Sequence, residues 1–175
     1  MAEPSIVLRA VEESDLEFTR ATRSDPQVSS LALGRRFPIT EVGERHWFER
    51  LGTGAFPTEA TFIVADEATG SPLGLVALND IDWVNRTSWF GIWIAPGHQG
   101  RGIGGAATRL AVEYARDRLG LRRVKLLVLA DHDAAIAVYR RVGFVDEVRL
   151  VGEILDEGTP RDLLLLALRY DGGDE

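Results

Sequence analysis

The chain has 175 residues, 45% apolar and 27% charged, with a formal net charge of −7 and no cysteine. That length suits one domain, 1–175, able to close a real hydrophobic core. No apolar run approaches the roughly 20 residues of a membrane span, Met1 to Pro4 lacks the basic and apolar regions of a signal peptide, and a cytoplasmic enzyme is therefore expected. The acidic balance argues against bulk nucleic-acid binding, which needs clustered Lys and Arg. The lack of cysteine excludes disulfides, thiolate metal sites and an acyl-cysteine intermediate. The three histidines, His46, His98 and His132, are far apart and without metal-ligand spacing, and no Gly-x-Ser-x-Gly elbow occurs. Acyl chemistry, if present, is expected to go by direct transfer.

In chain order, Ile6 to Ala10 reads as a short strand, and Ser14 with Glu17 has the spacing of a capping box opening a helix that ends before Pro26. A second helix from Thr40 is expected to turn Val42, Trp47 and Leu51 toward an apolar surface. Thr61 to Ala65, Leu73 to Leu78 and Ser88 to Ala95, separated by turn residues, form a meander. The period then changes. Ile103, Ala107, Leu110, Ala111 and Tyr114 recur at helical spacing, with Gly120 as C-terminal cap. Val124 to Leu129 is a continuous apolar strand, expected to be buried on both faces. Asp133 to Val142 is a short helix stopped by Gly143, two closing strands run about Val148 to Leu155 and Leu163 to Tyr170, and 171–175 is expected to be a disordered tail. The sum is an α+β fold with a mixed, mostly antiparallel sheet of about seven strands and about four helices.

The most informative stretch is Pro96-Gly97-His98-Gln99-Gly100-Arg101-Gly102-Ile103-Gly104-Gly105, between a strand and a helix. Glycines let backbone approach a ligand closely, and the free N–H groups of a helix start attract phosphate. Gly100, Gly102 and Gly105 satisfy the dinucleotide pattern Gly-x-Gly-x-x-Gly, with Asp131 near the place of a ribose-binding acid. Against that reading, four residues separate strand from first glycine, and only one crossover unit exists where a dinucleotide fold needs several.

The chain resembles the GNAT acetyltransferases. Their pyrophosphate signature, Gln/Arg-x-x-Gly-x-Gly/Ala, is matched by Gln99, Gly102 and Gly104 after a strand ending Ile94-Ala95-Pro96, and a second family element is matched by Ala135 to Phe144, with Tyr139, Gly143 and Phe144 in place. The resemblance runs over essentially the whole chain, and its closing segment looks like those of bacterial diamine/spermidine and ribosomal-protein N-terminal acetyltransferases. It implies acetyl-CoA as co-substrate, with backbone N–H groups from Gln99 through Gly100, Arg101, Gly102 and Ile103 to Gly104 holding the pyrophosphate, Arg101 adding charge attraction, and Ile92, Trp93 and Ile94 pairing with the pantetheine arm like an added strand. It implies Tyr139 as the acid that protonates the departing thiolate. The family's asparagine ahead of that helix is His132 here, which leaves a cofactor contact or a plain helix start open. No glutamate lies on the strand Ser88 to Ala95, so Asp80, Asp82 and Glu153 stand as candidate bases.

The expected function is N-acetylation of a primary amine on a small molecule of polyamine, aminoglycoside or amino-sugar type. A protein N-terminus and a non-catalytic acetyl-CoA sensor remain as alternatives. Trp47, Phe48, Phe56, Trp83 and Trp93 are candidates to line the acceptor pocket, and a homodimer is one open assembly.

Overall fold

Residues 4–29 and 38–170 are described by a computed structural model of the chain, so the expected tail at 171–175 lies outside the described residues. Seven strands, β1 (Ile6–Ala10), β2 (Ala60–Asp66), β3 (Pro72–Asp82), β4 (Thr87–Ile94), β5 (Arg123–Leu129), β6 (Val145–Asp156) and β7 (Thr159–Arg169), form one sheet in the order β1-β2-β3-β4-β5-β7-β6. Five helices accompany them: α1 (Leu16–Ser24), α2 (Pro26–Ser29), α3 (Glu41–Arg50), α4 (Ile103–Asp117) and α5 (Asp133–Val142). Every strand pair is antiparallel except β4 with β5, which is what a single strand–helix–strand crossover through α4 produces. A dinucleotide fold would require several such parallel pairs.

Alternation along the strands divides the molecule into two layers. Val64, Val76, Leu78, Phe90, Val124, Leu126 and Val128 point to one face and pack with Ile103, Ala107, Ala111, Ala115 and Ile136 of α4 and α5. Ile63, Ala65 and Leu75 point to the other face, where Phe18 of α1, Trp47 of α3 and Trp93 of β4 cover them. The second core is smaller because its helices bring polar residues inward: Glu44 is 2% exposed and Arg23 9%. Arg23 Nη1 donates to both Glu44 oxygens at 3.1 Å, the Thr19 hydroxyl donates to Glu44 Oε1 at 2.6 Å, and the Arg23 guanidinium lies 4.6 Å from the centre of the Trp47 ring.

Several local expectations change. The chain enters α1 through a single 3₁₀ turn, Glu13–Asp15, closed by the Glu12 N–H to Asp15 Oδ2 at 2.9 Å rather than by a bond between Ser14 and Glu17, because Arg9 grips both Asp15 oxygens at 2.7 and 2.8 Å and fixes that carboxylate under the turn. Thr40 caps α3 by accepting from the Gly43 N–H. Val42, however, is 65% exposed, since the inward face of α3 is set by the Glu44–Arg23 pair and Trp47. The strand β5 is fully buried on one face and in part on the other. Val124, Leu126 and Val128 face α4 and α5, while on the opposite face Lys125 and Leu127 are half-buried and Leu129 is buried.

Candidate active site

The parallel pair β4–β5 is short. Thr87, Ser88 and Trp89 register with Arg123, Val124 and Lys125, and beyond them the strands part. Among the described residues β4 is paired only with β3 from Phe90 to Ile94, while β5 continues in full register with β7. The edge of β4 that turns away from β3 is therefore unpaired over these residues, as a strand-like ligand requires. A cleft of about 980 Å³ occupies the gap and reaches both faces of the sheet.

The glycine loop closes one end of this cleft. Gly100 and Gly102 have φ of +71° and +80°, a region open to glycine and costly for other residues. The turn they make is tied back by Gln99, whose Nε2 donates to the Ile94 carbonyl at 2.9 Å. The first bond inside α4 is Ala106 N–H to Gly102 C=O, at 3.2 Å, so the N–H groups of Ile103, Gly104 and Gly105 have no helical partner and point out of the helix start. Those groups and the positive end of the helix macrodipole fit a pyrophosphate. Buried Thr108 stiffens the first turns by donating to the Gly104 carbonyl at 2.7 Å.

Tyr139 enters the cleft from α5. Its ring packs edge-on against Phe90 and Phe144, with centres 6.3 and 5.9 Å away, and its hydroxyl makes no hydrogen bond among the described residues. Burial among these rings pushes the phenol up to about 12. It is a protonated donor throughout the neutral range, on a half-buried side chain that lines the cleft.

The structure brings Ile92, Trp93, Ile94, Gln99, Gly100, Gly102, Gly104, His132 and Tyr139 together on the cleft wall. Of Arg101 and Ile103 only the side chains fall elsewhere; the Ile103 N–H stays at the helix start. The Arg101 side chain lines a separate depression of about 600 Å³ with His98, Asp66 and Ser5, and Ile103 is buried in the main core. His132 stands at the start of α5 without a side-chain capping bond. Asp80, Asp82 and Glu153 are not on the wall; Asp82 is held below the usual carboxylate range by the N–H and side chain of Asn85 in the β3–β4 turn. Of the five aromatic candidates for the acceptor pocket only Trp93 lines the cleft. Trp47 covers Arg23, and Trp83 donates to the Pro57 carbonyl beside Phe56. Sequence reasoning missed Asn79, Trp89 and Val28. Strand alternation from Trp93 back to Trp89, and across to its β3 neighbours, was the one signal that pointed to the first two. Among the described residues no group of three or more His, Asp or Glu is placed to hold a metal ion.

A β4–β5 wedge capped by a glycine loop on a helix start defines an acyl-CoA-binding fold, and comparison with known proteins gives the family. Residues 5–145 match the model of the acetyltransferase (GNAT) domain; the chain belongs to this family and is an acetyl-CoA-dependent N-acetyltransferase. It is 30% identical to the spermidine N(1)-acetyltransferase of Vibrio cholerae, over 90% of this chain and 89% of that protein, and 27% identical to the Escherichia coli enzyme of the same name, over 94% and 86%. The crystal structure of the Vibrio cholerae enzyme in complex with CoA and spermine superposes with a TM-score of 0.87, at 27% identity, covering 94% of this chain and 95% of that one. A putative ribosomal N-acetyltransferase of Bacillus subtilis is 34% identical over 57% of this chain and 54% of its own length.

Proposed function

We propose that this enzyme acetylates a terminal primary amine of a polyamine such as spermidine, by direct transfer from acetyl-CoA, with Tyr139 as the general acid. The observation that carries the reading is the two-sided wedge, reached by the glycine loop and Tyr139 from the α4–α5 face and open to the α1–α3 face, in a chain whose near-full-length relatives act on spermidine. Backbone N–H groups of the loop from Gln99 to Gly104 hold the pyrophosphate, and Ile92 to Ile94 present the strand edge to the pantetheine arm.

Two molecules then meet in the gap. The amine lone pair forms a bond to the thioester carbonyl carbon, the carbon–sulfur bond breaks, the nitrogen loses one proton to solvent water, the sulfur takes one from Tyr139, and the phenolate regains its proton from solvent. A thiol has an ordinary pKa of about 8.5, so a phenol near 12 is the weaker acid in water. Loss of the thiolate into the same apolar surroundings raises its own proton affinity and narrows that gap. His132 sits on the cleft wall at the start of α5, where its ring is available to the cofactor arm.

The catalytic unit is a single domain spanning 1–175 that works in the cytoplasm; no helix among the described residues is long and apolar enough to cross a membrane. A homodimer is supported by the exposed apolar side chains Val145, Val148, Val151 and Leu155 along the edge strand β6. The Bacillus subtilis relative favours a protein N-terminus as second reading. A thiol-release assay with acetyl-CoA across spermidine, an aminoglycoside, glucosamine and short N-terminal peptides separates them. Spermidine is expected to give the highest kcat/KM, and a peptide giving the highest value overturns the polyamine reading.

A further inference from the structure

The acceptor half of the cleft has a composition that assigns the amine-binding group. On the α1–α3 face of the sheet, Asn79 of β3 registers with Trp89 of β4, Ala77 with Gly91 and Leu75 with Trp93, so Asn79, Trp89, Gly91 and Trp93 share that face. Gly91 is where they converge. A Cβ built on it would stand 3.4 Å from the tip of the Trp93 indole and 3.8 Å from Asn79 Nδ2. The amide of one strand and the ring of the next thus meet over a residue that has no side chain, beside the unpaired edge of β4.

The other polar side chains on the wall are committed or on the far face, His132 and Arg141 among the latter because they stand at the start of α5 and within it. Gln99 is bonded to Ile94 and Thr108 to Gly104, and Tyr139 stacks with Phe90 toward α5. The indole of Trp89 is taken by Lys125, whose Nζ is 4.4 Å from the ring centre. Asn79 is half-buried, lines the cleft, and its side chain makes no hydrogen bond among the described residues.

We infer that Asn79 is the residue that seats the acceptor amine. Its Oδ1 accepts a hydrogen bond from the nitrogen, while the Trp93 indole packs against the carbon stem. An amine about to attack has one lone pair and two N–H groups. Fixing one N–H fixes rotation about the carbon–nitrogen bond and keeps the lone pair directed at the thioester carbon, and such orientation is a large part of what an enzyme supplies. A neutral amide suits this task, because it binds the nucleophilic neutral amine without raising its pKa as a carboxylate would. The inference rests on the acetyl-transfer reading of the cleft.

The test compares Asn79→Leu, Asn79→Ala and Asn79→Asp with wild type by thiol release, with spermidine as the varied amine, and adds calorimetric titration with CoA and thermal denaturation. Asn79→Leu and Asn79→Ala are expected to lower kcat/KM for the amine about tenfold to a hundredfold, with CoA affinity within about twofold of wild type and an unchanged Tm. Asn79→Asp retains the accepting oxygen but raises the pKa of the amine it binds, so it is expected to recover the loss at alkaline pH and not at neutral pH. Wild-type kcat/KM for the amine in a folded Asn79→Ala protein overturns the assignment. So does a fall in CoA affinity matching the fall in activity. Should wild type prefer a peptide or amino sugar to spermidine, the polyamine reading fails by itself, and the same fold-changes are then read on the preferred amine.

Discussion

Tyr139 carries two tests because burial raises its phenol and its hydroxyl has no partner among the described residues. Tyr139→Phe keeps the ring contacts with Phe90 and Phe144 and removes only the proton donor. Turnover is expected to fall about 10²- to 10⁴-fold, measured by thiol release, with CoA affinity near wild type; wild-type turnover would make solvent the proton source. The raised phenol fixes the pH profile as well. Activity rises on the acid side as the amine loses its proton, and no falling limb from Tyr139 appears until pH approaches about 12. The same shift enters stability with a definite sign. An unfolded tyrosine ionises near about pH 10, while folded Tyr139 keeps its proton to about 12. The native state therefore holds more protons in that window, and stability falls as pH rises through it. Urea titrations at pH 9 and 11 should show a smaller drop for Tyr139→Phe than for wild type.

The glycine loop shows which glycine can be tested without breaking the element. Gly102 has φ +80°, so any side chain there strains the backbone whatever the ligand does. Gly104 has ordinary helical geometry, lines the cleft, and a Cβ on it would meet Ile94 Cγ1 at an unstrained 3.8 Å. Gly104→Val therefore places bulk at the proposed pyrophosphate seat with little cost to folding. Calorimetry should show CoA affinity reduced at least about tenfold, about 1.4 kcal/mol, with Tm close to wild type. Gln99 acts in a different way. Its amide holds the Ile94 carbonyl and so sets the angle at which β4 enters the loop. Gln99→Ala should weaken CoA binding about three- to tenfold by leaving the loop to order on binding, and an unchanged affinity would show that the glycines fix the loop unaided.

At the scale of the whole molecule, the two faces of the sheet are held by different forces. The α4–α5 face is a continuous apolar core. The α1–α3 face depends on Glu44, which joins Arg23 and Thr19 of α1 to α3 in a place with almost no solvent. Breaking a buried pair by removing one partner leaves the other charge uncompensated, at a typical cost of about 3 to 5 kcal/mol. Glu44→Ala is expected to lower stability by that order in urea unfolding, and to raise KM for the amine more than for acetyl-CoA, since α1 and α3 lie on the acceptor side. A change below about 1 kcal/mol would mean that packing of Trp47 and Phe18 alone docks these helices.

What the sequence determined by itself was everything that depends on local period and local backbone freedom. The alternation from Thr61 to Ala95, the helical recurrence from Ile103 to Tyr114, the glycines that turn the chain at 100 and 102, and the stop at Gly143 all appear where they were read. The motif residues Gln99, Gly102, Gly104 and Tyr139 also share one cleft, because the crossover brings the end of β4 and the helix after β5 to the same edge. Tertiary structure alone decided the rest. Val42 turns out rather than in because a charge on Glu44 found a buried partner 21 residues away. Arg101 points into a different depression because the loop's positive-φ turns aim its side chain away from its own backbone N–H groups. Asn79, an ordinary polar residue near the end of β3 in the sequence, reaches the acceptor side of the site only because β4 leaves β5 at Trp89 and because Gly91, one register step away, has no side chain to cover it. Such facts depend on strand register and on which neighbours a fold supplies, and neither is written in the period of a single segment.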